Sequence, residues 1–380
     1  MGERAECVIV GGGIVGCALA YYLAKRGMTD VLLVEKDYLA SGATGRCGGG
    51  VRQQWSTPEN LKLAMHSVRI FEGLSAELGM DIEWNQGGYL IVTSTHEELD
   101  QFRKNVAMQR RFGLKVDLVS PEQAREILPL LNTHDLLGGT FCPTDGHANP
   151  FLTAYAYARA ARAMGARVAT RTAVQGIVIV RDRVTGVITS SGKVEARAVV
   201  NVSGPHSRQI GKMVGLDLPI EPYRHEILVT EPVNRLFDTM VISFDHNIYF
   251  CQHRSGGIVG GQSNPGEPPG FETKSGLPFL EQFSRKLVRL IPALKTVKVL
   301  RQWAGLYDVT PDAQPILGGV DGVDGYYQAV GFSGHGFMLA PKTAQLMAEL
   351  IAEGKSSLPA LRGLNLSRFK EGEIRVEKSV

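Results

Sequence analysis

The stretch Glu6–Gly27, ECVIVGGGIVGCALAYYLAKRG, decides how the rest of the chain is read. Cys7 to Val10 is a short, largely β-branched run suited to a buried parallel strand, and Ile14 to Lys25 has helical spacing with small residues on one side. Between them Gly11, Gly13 and Gly16 fall at G-x-G-x-x-G, in the strand–turn–helix context the motif requires. Gly11 permits the tight turn, Gly13 lets the backbone approach a pyrophosphate, and Gly16 lets helix and strand pack closely. The helix N-terminus then faces the anion.

A second strand, DVLLVEK, carries Glu35 near its end, 24 residues after Gly11, where a carboxylate can accept both ribose hydroxyls of an adenosine. Dinucleotide binding follows, but this local pattern leaves NAD and FAD open. The next segment, LASGATGRCGGGVRQQW (39–55), favours the longer cofactor. It replaces the short turn and third strand of a simple nicotinamide domain with a glycine-rich loop able to offer many backbone N–H groups. A second strand–helix G-x-G-x-x-G is lacking, which indicates one dinucleotide.

Composition bounds the rest. The chain has 380 residues, enough for two domains, and 44 glycines, well above the ~7% of average usage. The glycines cluster at 11–16, 42–50, 256–261 and 331–336, as expected of a backbone wrapped around a ligand. With 41 basic and 38 acidic residues and no block of like charge, nothing points to nucleic acid. The five cysteines form no C-x-x-C pair and read as reduced thiols, with no metal or iron–sulfur centre. No apolar run reaches the ~20 residues of a spanning helix and no secretory h-region is seen, so the chain reads as cytoplasmic.

Along the chain the pattern predicts a helix from Pro58 to Leu78 with Thr57 as N-cap, a strand in GGYLIVTS (87–94), and a helix to about Phe112. A short helix follows the cap-like SPEQAREI, and an Ala-rich one runs from Pro150 to Gly165. Three or four strands then precede Asn201, isolated strands occupy 226–300 with a helix near 278–291, and the chain closes as strand, glycine loop and helix. The expected fold is α/β: a doubly wound, Rossmann-like domain of glutathione-reductase type, discontinuous over 1–86, 145–225 and 301–380. A mixed-sheet α+β substrate domain would occupy 87–144 and 226–300.

These motifs resemble the D-amino-acid-oxidase-like flavoprotein superfamily, in its sarcosine oxidase and glycine oxidase branch. The resemblance runs nearly end to end, through VIVGGGIVGC with Glu35, SGATGRCGGG, RTAVQGI, VVNVSGPHS, GLYDVTPDAQPILG and GFSGHGF. RCGGGVRQQ, PTDGHANP and GFSGHGFMLAP look most like the β-subunits of heteromeric enzymes, dye-linked L-proline dehydrogenase above all. The resemblance implies FAD and oxidation of the C–N bond of a small amino or imino acid, L-proline first and sarcosine or glycine next. A partner subunit would accept the electrons, and the resemblance extends to an FMN at a subunit interface. Alternatives are a stand-alone oxidase using O2, a flavin relay or assembly subunit, and, were the resemblance misleading, an NAD-dependent dehydrogenase.

Carried over position by position, Gly11, Gly13, Ile14, Val15 and Gly16 would hold the pyrophosphate, Glu35 the ribose, and Lys36 would flank adenine. Ser41, Thr44, Arg46, Cys47 and Gly48 would follow the ribityl chain and flavin; Val174 would meet adenine through its backbone; Ser203 and Gly204 would close over the phosphates. Gly334, Gly336, Phe337 and Met338 would bring a helix N-terminus to the flavin's anionic edge. Two departures stand out. Gly305 occupies the position of the flavin-linking cysteine of monomeric sarcosine oxidases, which implies dissociable FAD, and Met338 replaces their carboxylate-pairing lysine. Candidates at the substrate are therefore His335, Tyr249, Tyr307 and Arg52, with Arg46 a second forked cation that could instead brace the loop. His225 and His253 read as structural.

Overall fold

The first strand, β1 (Glu3–Val10), pairs in parallel with Gly192–Asn201 on one side and with β2 (Val31–Val34) on the other. In the computed structural model, which describes residues 3–357, 363–372 and 374–378, this trio forms the centre of an eight-stranded sheet. The sheet extends through Arg167–Ala169 beyond β2, and through Arg183–Thr189, Val323–Val330 and Ile316–Val320 on the other side. Being covered on both faces, β1 is buried from Cys7 to Val10 and reads as an unbroken apolar run.

Helix α1 (Ile14–Lys25) is buried at every residue from Ile14 to Ala24. It is wedged between helices Pro150–Ala163 and Gly336–Glu353, which explains its lack of a polar face. Tyr21 and Tyr22 meet Tyr157 with ring centroids 5.6 and 6.0 Å apart. The long helix α2 (Pro58–Leu78) packs on Gly336–Glu353 as well.

The second sheet is mixed, also of eight strands, in the order Val299–Val309, Glu221–Thr230, Ile258–Gln262, Ile248–Gln252, Met240–Ser243, Tyr89–Thr93, Gly138–Cys142, Asp117–Val119. Its core gathers Leu90, Phe250 and Phe283 under the amphipathic helix Leu277–Leu290. The helices and strands expected from spacing are all present, and Ser120 completes a capping box with Gln123. The domain crossings, however, are displaced from 225/226 and 300/301. Glu221–Thr230 and Val299–Val309 pair antiparallel over ten registered positions, Glu221↔Val309 to Thr230↔Val299, so both strands belong wholly to the second sheet. The outermost residues of the expected segments 1–86 and 301–380 lie in part outside the described residues.

Among the described residues, no helix is long and apolar enough to cross a membrane. The C-terminal segment straps the start of α2 to the turn at Asp312. Thr57 stands at the N-cap position of α2, but its hydroxyl donates to Glu377 (2.6 Å) instead of accepting from its own helix. Ser56 N and Asn60 Nδ2 donate to the same carboxylate at 2.8 and 3.2 Å. Arg368 is buried against Asp312, with Nε–Oδ2 at 2.8 Å and Nη2–Oδ1 at 3.0 Å, and its remaining donors reach the carbonyls of Leu364, Asn365 and Gln314. Breaking such a pair strands the other charge in the interior. Arg368→Leu is expected to destabilise the protein by about 3–5 kcal/mol in urea unfolding, and Asp312→Asn with Arg368→Leu together by less than the sum of the two single changes.

Candidate active site

Where β1 ends, Gly11 N donates to Val34 O (2.9 Å), closing the turn onto the neighbouring strand. A side chain at Gly16 would place its Cβ 2.0 Å from the Gly11 carbonyl oxygen, so only glycine lets α1 start this close to β1. The result is a helix N-terminus opening into a long cavity. Gly11, Gly13, Ile14 and Val15 line its middle, and Ser203 with Gly204 closes it from the strand Gly192–Asn201 side.

Glu35 and Lys36 line one end with Val174. The Glu35 carboxylate accepts from Gly12 N (2.7 Å) and Asp37 N (2.9 Å), which fixes both oxygens beside the turn with lone pairs to spare. Lys36 Nζ lies 2.8 Å from His206 Nε2, and the His206 ring stacks on Phe271 at 5.0 Å and 13°. A flat cradle with a carboxylate beside it suits an adenosine.

Ser41, Thr44, Arg46 and Cys47 carry the cavity onward. Thr44 Oγ1 accepts from Ile14 N (3.0 Å), tying the glycine-rich loop to the first turn of α1. Arg46 donates to Ser41 O (3.1 Å) and Ala304 O (2.8 Å), and the Trp303 indole donates to Arg46 O (3.3 Å). Arg46 thus braces the loop against strand Val299–Val309. Gly305 makes room for it: a Cβ there would meet Arg46 Cβ at 3.1 Å. Cys47 Sγ donates to Thr44 O (3.1 Å), and burial pushes its thiol up to about 11.

Tyr307, Gly334, Gly336 and Phe337 form the far end. Gly334 has φ +93°, and a Cβ there would sit 2.5 Å from the Tyr307 ring, so backbone lies directly on the aromatic face. The turn before it is anchored to the neighbouring strand: Gly331 N donates to Asp308 Oδ2 (2.8 Å), Ser333 N to Asp308 O (3.1 Å), and Thr310 N to Ser333 Oγ (3.2 Å). Helix Gly336–Glu353 starts immediately after His335. Its first N–H groups therefore open toward this end of the cavity.

Behind Tyr307 stands an aromatic stack. The His225 ring lies 4.5 Å from Tyr307 at 9° and 5.5 Å from Tyr249 at 11°. His225 Nδ1 is 3.1 Å from Ser263 Oγ, whereas Nε2 is buried with no hydrogen-bond partner. Burial lowers this imidazole to about 4, and raises the hydroxyls of Tyr249 and Tyr307 well above their ordinary value. A buried ring nitrogen without a partner beside a cavity is a vacancy for a polar ligand atom. His225, expected to be structural, stacks on two of the residues expected at the substrate. A strand residue alternating with apolar neighbours gave no signal of that.

Arg52 is buried, donating to Gln54 O (2.7 Å), with its guanidinium 4.2 Å from the Trp55 ring. Trp55 meets His335 edge-on at 4.4 Å and 88°. Burial first, and then the Arg52 charge, hold His335 well below its ordinary pKa, so its ring is neutral. Beneath them Asp145 accepts from Gln53 N (2.9 Å), Gln53 Nε2 (2.9 Å) and Gln54 Nε2 (3.1 Å), and burial raises it to about 6. Arg52, His335 and Tyr249 cluster next to the cavity without lining it, as does Gly48. Met338 points away into the core, so the side chain that replaces a lysine does not face the cavity.

Run end to end, the lining offers a ribose acceptor, a diphosphate turn, a polar loop for a sugar-alcohol chain and a helix N-terminus for an electron-rich ring edge. These residues fit FAD. A family model described as FAD dependent oxidoreductase (DAO) matches residues 6–350. The chain is 30% identical to sarcosine oxidase subunit beta of Rhodobacter capsulatus, covering 100% of this chain and 91% of that protein. Human mitochondrial dimethylglycine dehydrogenase is 30% identical over 93% of this chain, which spans 43% of that longer protein. The crystal structure of L-proline dehydrogenase from P. horikoshii superposes with a TM-score of 0.94 at 39% identity, covering 99% of this chain and 100% of that one. The chain belongs to the DAO family of FAD-dependent oxidoreductases.

Proposed function

We propose that this chain oxidises the C–N bond of a small amino or imino acid, L-proline ahead of sarcosine and glycine, as the catalytic β-subunit of a heteromeric dehydrogenase. The observation that carries this reading is the Tyr249–His225–Tyr307 stack with its unpartnered Nε2, which puts Tyr307 at the flavin end of the cavity with His225 and Tyr249 behind it. The likeness to the P. horikoshii L-proline dehydrogenase over the whole chain supports proline as first choice, and that to sarcosine oxidase subunit beta supports a partner subunit.

FAD, when bound, would supply a two-electron acceptor for the hydride on the carbon that bears the amine, leaving an imine for water to hydrolyse. The chain's own residues do the rest. Arg52 sets a fixed positive charge behind the site, because a guanidinium stays protonated even when buried. That charge favours the substrate carboxylate and opposes protonation of His335 and of the substrate amine. Tyr249 and Tyr307 stay un-ionised, so their hydroxyls donate, and the Tyr307 ring, backed by His225, offers an aromatic wall to a pyrrolidine-sized body. Neutral His225 adds one hydrogen bond through Nε2. The N-terminus of helix Gly336–Glu353 would favour negative charge on a bound flavin.

Arg46 packed in the space that Gly305 leaves, and a Cys47 thiol kept protonated, support a dissociable FAD. The same reading includes an FMN at the subunit interface, which purification with the partner would reveal as a second flavin.

L-proline, added anaerobically to the yellow protein, is expected to bleach the flavin faster than sarcosine or glycine, with slow recovery in air. Bleaching by sarcosine or glycine alone would overturn the proline assignment, and fast recovery in air the dehydrogenase assignment. Acid precipitation should leave the flavin in the supernatant; a yellow pellet would mean a covalent link. Gly16→Ala, which forces α1 away from β1, should both lose the flavin and lower the thermal midpoint, whereas Tyr307→Phe should keep the flavin and raise KM for proline.

A pH prediction follows from His225. Its folded pKa lies below that of the unfolded chain, so its contribution to stability is whole above about 6.5 and is lost as pH falls toward 4. The stability difference between wild type and His225→Asn should therefore shrink over that interval in chemical unfolding. The pH profile of kcat/KM should show no inflection near 6.5 from this group.

A further inference from the structure

We propose that His147, Cys251 and His253 form a Zn2+ site that clamps the flavin loop to the second sheet. One ligand atom from each residue lies within 4.8 Å of the others. His147 and Cys251 are buried and His253 is half-buried. The three come from two segments, the two-residue strand Gly146–His147 and the end of strand Ile248–Gln252 with the residue beyond it.

A fourth donor, an oxygen, stands beside them. The Gly48 carbonyl of the flavin loop lies 3.7 Å from Cys251 Sγ and 3.3 Å from His253 Nε2. One thiolate and two imidazoles with an oxygen donor is a donor set that suits tetrahedral Zn2+. The edges of such a tetrahedron measure roughly 3.3–3.8 Å at ordinary Zn–N and Zn–S lengths, so closure asks on the order of 1 Å of the ligand atoms. The outer contacts are those that orient ligands. Asn85 Nδ2 sits 3.1 Å from His147 Nε2 and also donates to Asp238 O (3.1 Å), while backbone bonds in both directions hold Asn85 to His147. The two rings already face each other, with centroids 5.3 Å apart.

These three ligand groups on otherwise apolar supports have no part in the oxidation derived above. Binding exchanges the Cys251 proton for the metal, Cys–SH plus Zn2+ giving the singly charged Cys–S–Zn+ plus H+, with no change of oxidation state. Burial keeps the thiol protonated, up to about 12, in the absence of a cation. Gly48 is flanked by Cys47 on the cavity wall, so the clamp would steady the loop that follows the flavin. The inference stands whatever the substrate is.

The test uses the flavin-loaded protein, stripped with a chelator and titrated with Zn2+ against a chromophoric competitor, then with Co2+. One equivalent per chain is expected, with a thermal midpoint that rises with Zn2+ and with the ligand-field bands of tetrahedral Co2+ clear of the flavin absorption. Cys251→Ser and, separately, His147→Gln should each weaken binding at least tenfold and abolish the midpoint shift. Substoichiometric binding by the wild type, octahedral Co2+ spectra, or affinity unchanged in both variants would overturn the site.

Discussion

Everything at the centre of this molecule depends on how closely α1 approaches the end of β1. The Gly16 backbone lies against the Gly11 carbonyl at a spacing no Cβ survives, and that contact sets where the helix N-terminus points. With the helix buried on all sides it cannot pivot. Glu35, Thr44 and the glycine-rich loop then take their places by hydrogen bonds to the turn and to the first residues of the helix. A diphosphate site built from backbone amides needs such rigidity, since amides contribute most when already aimed.

The second constraint is the ten-position pairing of Glu221–Thr230 with Val299–Val309. It carries His225 opposite Gly305 and Tyr223 opposite Tyr307, and so decides which side chains reach the flavin end from the second sheet. Arg46 locks the flavin loop onto the same strand through Ala304 O. The two halves thus share one edge, and the site is made where the loop, that strand and the turn before helix Gly336–Glu353 meet.

The nucleotide half was legible because its signals are local. Glycine spacing, strand length and a terminal acid lie within thirty residues and need no partner to be read. Helix starts such as those at Ser120 and Pro150 were legible for the same reason. What could not be read depends on long-range register. Val299–Val309 lacks clean alternation because it is half shared with the flavin loop, so the domain crossings fell inside strands. Thr57 looked like a helix cap, yet its partner is a carboxylate 320 residues away. His225 looked structural because a histidine on a strand shows its neighbours only when the sheet is assembled, and the same holds for His147, Cys251 and His253. Arg46 and Arg52 offered the same chemistry on paper; geometry separates them, one bracing the loop and the other lying buried over Trp55.

The central claim is that the chain's aromatic wall and buried cation present a C–H bond next to nitrogen to the flavin. Single-turnover reduction under argon, comparing L-proline with proline deuterated at the carbons bonded to nitrogen, tests it most directly. Slower bleaching with the deuterated substrate is the expected result. Failure of proline, sarcosine and glycine alike to bleach the flavin of the purified chain would contradict the account.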